Sequence, residues 1–214
     1  MKLLIGIPCM DQMPTRSAMS LQFIRKPEGT TLVPKMNSLI YDSRNLISLY
    51  AIDNEYDYVL WLDSDMTWPV ETITILMHDI QKLDAHMVTG LYVKRSFPTE
   101  PVLYKVIAEP VRKENGLLER NIEPYTDFPR NVSAFPVAGC GFGCCLTSVK
   151  LLKDVWDHFG PAFAPYTWAG EDISFCHRVN QLGYTIYCDT DVSCGHIGTY
   201  EFTVNDLQRG SEED

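Results

Sequence analysis

The chain has 214 residues, with 18 Lys and Arg against 28 Asp and Glu, a net charge of −10. That length gives room for one domain with a full core and for no second large one. The acidic balance excludes a general nucleic-acid binder and a polybasic attachment to anionic lipid, since both need a basic surface.

In chain order, Leu3–Pro8 reads as a buried first strand. Its apolar run is too short for the core of a secretory signal, and no window approaches the roughly 18 apolar residues of a membrane span. The expected location is therefore cytoplasmic. Residues from Cys9 to Val33 read as loop, and a helix is expected from about Lys35 to Ile52, where apolar residues recur at helical spacing. Asp57–Leu62 (DYVLWL) has the continuous apolar character of a strand buried on both faces. Pro69 suits the first turn of a helix reaching Leu83. His86–Tyr92 and Val102–Ile107 are further strands, and the polar stretch from Glu109 to Arg130 reads as an inserted hairpin or loop. Phe135–Leu146 is apolar and glycine-rich. Val149–His158 and Asp172–Leu182 read as helices, Tyr184–Cys188 as a late strand, and residues 205–214 as a flexible acidic tail. This alternation predicts a single α/β domain over residues 1–204, with a mostly parallel central sheet flanked by helices. Seven cysteines, an odd number with no C-x-x-C pair, argue against a disulfide framework, and their spacings match no closed zinc site.

Three constellations carry possible chemistry. Asp63-Ser64-Asp65 closes the strand DYVLWL, where open α/β sheets bind ligands. Two carboxylates spaced by one residue there suit a divalent cation bridging to diphosphate oxygens; the other reading is a turn pair ahead of the next helix. Trp168-Ala169-Gly170-Glu171-Asp172 puts a glycine before two carboxylates at a helix start. The helix N-terminus favours their ionised form, which suits proton abstraction from a sugar hydroxyl stacked on the tryptophan; otherwise they are simply an acidic first turn. His196 sits between glycines late in the chain, either as a structural histidine or as a metal ligand.

In this order, the three sets make the chain resemble the GT-A fold glycosyltransferases, most closely the family 2-like group. The resemblance runs from about Lys2 to Gly198. It is carried by the strand ending at Pro8, by Ser43-Arg44-Asn45, by DYVLWLDSDM with its D-x-D motif, and by GLYVKR. The glycine-rich turn Gly139–Gly143, the acceptor-type motif WAGEDISFCHR and the late His196 complete it. Ala169 departs from the closest motif, which has glycine there.

The resemblance implies a Rossmann-like GT-A fold and a metal-dependent transfer of a sugar from a nucleoside-diphosphate sugar, a UDP-sugar by preference, to an acceptor hydroxyl. The class would be hexosyl- or N-acetylhexosaminyltransferase, with inversion favoured. Asp65 and His196, with Asp63 as the other member of the D-x-D pair, would hold Mn²⁺ or Mg²⁺. Asp63 would also contact the ribose or base, Pro8 and Arg44 would line the nucleotide pocket, and Lys94 or Arg95 would offset diphosphate charge. Asp172 would act as base, with Glu171 and Trp168 holding the acceptor. The acceptor is open: a glycan, a lipid-linked sugar, a protein or a modified base. Because the chain leaves little room for an acceptor domain, a homo-oligomer or partner would complete that side. The competing readings are a non-catalytic nucleotide-sugar or carbohydrate-binding module of the same fold, and a nucleotidyltransferase.

Overall fold

The structure, a computed structural model, describes residues 1–130, 132–198 and 200–211. Its centre is a seven-stranded sheet in the order β2-β1-β3-β10-β5-β11-β8. These strands are β1 (Leu3–Cys9), β2 (Thr31–Met36), β3 (Tyr58–Leu62), β5 (Met87–Leu91), β8 (Ala134–Val137), β10 (Cys144–Ser148) and β11 (Ile186–Ser193). The central strands read as unbroken apolar runs because successive side chains enter two different cores. Leu4, Val59, Trp61 and Cys145 point to one core; Ile5, Leu60, Leu62 and Leu146 point to the other. Helices α2 (Ile40–Asp53), α4 (Val149–Phe159) and α5 (Glu171–Gln181) cover the first face, and α1 (Thr15–Phe23) and α3 (Thr72–Lys82) the second.

The sheet is mixed, which corrects the expectation of a mostly parallel one. Three of its ladders are parallel (β1 with β2, β1 with β3, β11 with β5) and three antiparallel (β10 with β3, β10 with β5, β11 with β8). The reason lies in where the chain enters β10. It passes through β9 (Gly139–Cys140) and the glycine-rich segment Gly141–Gly143, and inserts β10 between β3 and β5 from their carboxyl ends. A strand entered from that end must run against its neighbours. The passage is crowded: a Cβ on Gly141 would lie 1.9 Å from the Tyr92 hydroxyl.

Two elements stand where loop was expected. The helix α1 buries only Ser17 fully, so it lacks the apolar stripe that marks a helix in sequence. The strand β2 contains Pro34, which only an edge position tolerates; β2 is such an edge, and α2 therefore begins at Ile40 rather than Lys35. The polar insert is a hairpin of β6 (Leu103–Arg112) and β7 (Leu118–Pro124), turned at Gly116 with φ +80°. Val204–Ser211 forms a 3₁₀ helix within the stretch expected as tail; Thr203 donates its backbone N–H to Asp206 at 2.8 Å. Residues 212–214 of that tail lie outside the described residues. Among the described residues, no helix is long and apolar enough to cross a membrane, and all seven cysteines are free.

Two short ladders beside the sheet bring distant segments of the chain together. The strand β4 (Met66–Thr67) continues directly from the D-x-D segment and pairs with β12 (Gly195–Ile197), placing His196 opposite Met66. In turn, β12 pairs with β13 (Glu201–Phe202).

Candidate active site

At the carboxyl ends of β1 and β3, a cleft of about 200 Å³ is lined by Pro8, Cys9, Met10, Ser38, Ile40 and the run Asp63-Ser64-Asp65. Two strands that end side by side leave a crevice there, the usual ligand position in open α/β sheets. The sequence-predicted Pro8, Asp63 and Asp65 are all brought to this cleft.

Beneath it lies Arg44, whose side chain is only 3% exposed. One guanidinium nitrogen, Nη2, donates to Asp63 Oδ1 at 2.7 Å, and Nη1 donates to Glu171 Oε1. The guanidinium packs over the Phe142 ring, 5.2 Å from its centroid. Burying so strong a cation requires compensating charge, and two carboxylates 108 positions apart supply it. Burial works against the charged guanidinium, while Asp63, Glu171 and Asp172 outweigh it and hold its pKa above the ordinary value. Arg44 therefore ties the D-x-D segment to the start of α5 from below.

Asp172 follows Glu171 in the first turn of α5 and caps the backbone N–H of Ile173 at 2.7 Å. Burial first, and then the charge of Glu171, push its carboxyl up to about 6, although Arg44 pulls the other way. The helix dipole expected to keep it ionised is thus outweighed at mildly acidic pH. Tyr104 on β6 feels the same carboxylate: burial, then Asp172, raise its phenol to about 12. Trp168 is half-buried and stacked face to face on Tyr166, with centroids 5.2 Å apart and planes 4° from parallel, and the edge of His177 meets both rings. On Tyr166 the Arg178 guanidinium lies 4.4 Å from the ring centroid.

On the other side of the cleft, His196 Nδ1 bonds the carbonyl of Val93 at 2.9 Å. A carbonyl only accepts, so the proton is assigned to Nδ1. That leaves Nε2 facing Asp65 Oδ2 at 3.7 Å. An imidazole held through Nδ1–H by a backbone carbonyl, with Nε2 turned to a carboxylate, is the arrangement that metal-ligating histidines adopt. Asp65 and His196 therefore fit a divalent cation as a two-donor set. Among the described residues, no group of three His, Cys, Asp or Glu side chains could hold a metal, and Asp63 is turned to Arg44 instead. The Asp65 oxygen is also met by Arg95 Nη1 at 2.8 Å. Burial pushes the Asp65 carboxyl up, but His196 and Arg95 outweigh it and hold it below the usual carboxylate value.

Lys94 is not brought to this cluster. Its ammonium pairs with Glu100 at 2.6 Å, and its neighbour Arg95 takes the position on Asp65. Two buried supports carry no motif signal: Tyr92, which accepts the Gly143 N–H at 3.2 Å and meets the His196 ring edge-on, and Phe142 under Arg44. Tyr92 lies in GLYVKR and Phe142 in the glycine-rich segment, but as residue types both point to core rather than to the site.

No family model matches this sequence, and no curated protein does. Solved structures do match. The crystal structure of GalNAc-T7 with UDP, GalNAc and Mn²⁺ superposes with a TM-score of 0.59 at 12% identity, over 99% of this chain and 47% of that one. The fold is glycosyltransferase-like. The viral protein A197 from STIV superposes with a TM-score of 0.66 at 16% identity, covering 92% of this chain and 86% of that one. The present chain thus spans about half the length of the GalNAc-T7 chain and most of A197.

Proposed function

We propose that the chain is a metal-dependent glycosyltransferase that moves a hexosyl or N-acetylhexosaminyl group from a nucleoside-diphosphate sugar, by preference a UDP-sugar, to an acceptor hydroxyl with inversion. The observation that carries this reading is the cleft itself. Asp63 and Asp65 line it; Asp65 forms a two-donor cation set with His196 beside it, and Arg44 joins Asp63 to Glu171, next to the carboxylate Asp172 that is raised toward neutrality. The UDP and Mn²⁺ named for GalNAc-T7 support the choice of nucleotide and ion.

Mn²⁺ or Mg²⁺, when bound, supplies the positive charge that stabilises a departing diphosphate. Asp65 and His196 are the residues that would hold it. Pro8 and Asp63 line the nucleotide side, Asp63 fixed by Arg44. Asp172 takes the proton of the acceptor hydroxyl as that oxygen attacks the anomeric carbon and the bond to the diphosphate breaks. Glu171 and the outer face of Trp168 orient the acceptor. Most of the acceleration comes from positioning and from this charge arrangement.

The test is turnover of a panel of UDP- and GDP-sugars with Mn²⁺, with and without EDTA. Transfer or slow hydrolysis that EDTA and Asp65→Ala each abolish supports the reading. Nucleotide binding without turnover across donors and acceptors overturns it in favour of a binding module, and pyrophosphate release from a nucleoside triphosphate overturns it in favour of a nucleotidyltransferase.

A further inference from the structure

Resting on the cation site above, we propose that Arg95 is a resident cation for Asp65: a divalent ion must displace it, and it then turns its charge to the diphosphate. Arg95 Nη1 lies 2.8 Å from Asp65 Oδ2, the same oxygen that His196 Nε2 faces at 3.7 Å. A metal shared by Asp65 and His196 sits about 2.1 Å from its donor atoms. It therefore claims the oxygen that the guanidinium holds, and like charges at that separation repel. The two occupants exclude each other at one atom.

The surroundings allow the exchange. Arg95 is 48% exposed on its side chain against 30% for Asp65, so the guanidinium has solvent beside it into which it can swing. Its other contact is weak, one bond from Nη1 to the Ile197 carbonyl at 3.4 Å. The backbone that carries it is held. Lys94 N–H bonds the Glu100 carbonyl at 2.9 Å, and the Lys94 ammonium closes the same residue pair. At the tip, the Phe97 ring packs against Phe202, with centroids 5.1 Å apart. The strap from Lys94 to Glu100 is thus pinned at its base and its tip, and the swap needs only a side-chain rotation, one of the fastest motions a protein makes. Arg95 keeps the Asp65 carboxylate compensated before the ion arrives and leaves a free guanidinium at the cleft mouth afterwards. A planar fork of N–H donors there is suited to phosphate oxygens.

The exchange predicts two effects of opposite sign from one substitution. Partly exposed ion pairs are weak, so Arg95→Ala should tighten binding of Mn²⁺ alone by about fivefold, equivalent to about 1 kcal/mol. It should also weaken binding of UDP in saturating Mn²⁺ by a similar factor. Arg95→Lys, which keeps the charge but loses the fork, should fall between Arg95→Ala and the unaltered protein in both measurements. Free Mn²⁺ is read by electron paramagnetic resonance and UDP by calorimetry, with a thermal melt confirming that each variant folds. Unchanged or weaker Mn²⁺ binding by Arg95→Ala overturns the exchange. If Mn²⁺ binds the unaltered protein and Asp65→Ala equally, the cation site itself is misplaced; that outcome is distinct, and it overturns both readings.

Discussion

Asp172 and Asp189 are both carboxyl groups lifted toward neutrality, to about 6 and about 7, and in both burial is the largest cause. The second cause separates them. Asp172 has the charge of Glu171 beside it and Arg44 to offset it, and Arg44 connects that turn to Asp63 of the cleft lining. Asp189 lies on β11, 1% exposed, against Asp79 of α3, 3% exposed. Asp79 Oδ2 finds no hydrogen-bond donor, and among the described residues neither carboxyl pairs with an arginine or lysine. His78, exposed, reaches Asp79 Oδ1 at 3.5 Å, and the Asp191 N–H donates to Asp189 Oδ1 at 2.7 Å. A proton on Asp189 is the donor that Asp79 Oδ2 lacks. A raised carboxyl pKa is therefore no mark of catalysis by itself. One pair is compensated by a fixed cation that also holds a cleft residue, Asp63; the other is compensated by a proton within the core.

The strongest way to break this contrast is to amidate each acid. Asp172→Asn should lower transfer about 10³-fold, since a general base contributes roughly 10²–10⁴, while UDP and Mn²⁺ affinity stay near their original values by calorimetry. A variant that keeps its rate would remove Asp172 from the chemistry. Asp189→Asn should leave transfer within about twofold and act on stability instead. The folded pKa of Asp189 stands above its unfolded value, so its contribution is fully present below about pH 4 and is lost as pH rises through about 7. Asparagine keeps a donor for Asp79 at every pH. The variant should accordingly gain about 2 kcal/mol at pH 8, a rise in Tm of roughly 4–8 °C, and well under half of that at pH 5. An equal gain at both pH values would sink this account. The smallest effect sharpens the site side. The kcat/KM of the unaltered protein should climb with pH through about 6 as Asp172 ionises. Glu171→Gln, which removes a like charge, should move that limb to lower pH by about half a unit; a limb that stays or rises would show that Glu171 does not act on Asp172 through charge.

Much of the site is legible because its motifs are local. Asp63 and Asp65 stand two residues apart at the end of an unmistakable strand, and Glu171 and Asp172 share one helical turn, so the sequence alone puts each pair together. What joins the pairs is not legible. Nothing in the neighbourhood of Arg44 says that its two partners stand 19 and 127 residues away. Lys94 and Arg95 give the same signal in sequence, yet Lys94 pairs with Glu100 and only Arg95 reaches Asp65. In the fold, the central strands are readable from burial on both faces, but that pattern is the same whichever way a strand runs, and so the direction of β10 is hidden. The elements α1 and β2 are hidden for the opposite reason: each is an edge piece with too little buried surface to impose a period. Asp79 looks like an acid in an apolar helical stretch and Asp189 like one of two alternating acids on a strand, and only the packing of α3 on β11 makes them a pair.

The pairing of β4 with β12 has one more consequence, concerning the order in which the polypeptide is made. The two-residue ladder that presents His196 to Asp65 draws on a strand some 130 positions later in the chain. As the polypeptide leaves the ribosome from its N-terminus, the sheet's first strands and the D-x-D turn are made well before that imidazole. A nascent chain, or one clipped before Gly195, retains both acids of the D-x-D turn and lacks the histidine that faces Asp65. The proposed cation site is thus completed only once the second of two distant segments has been made.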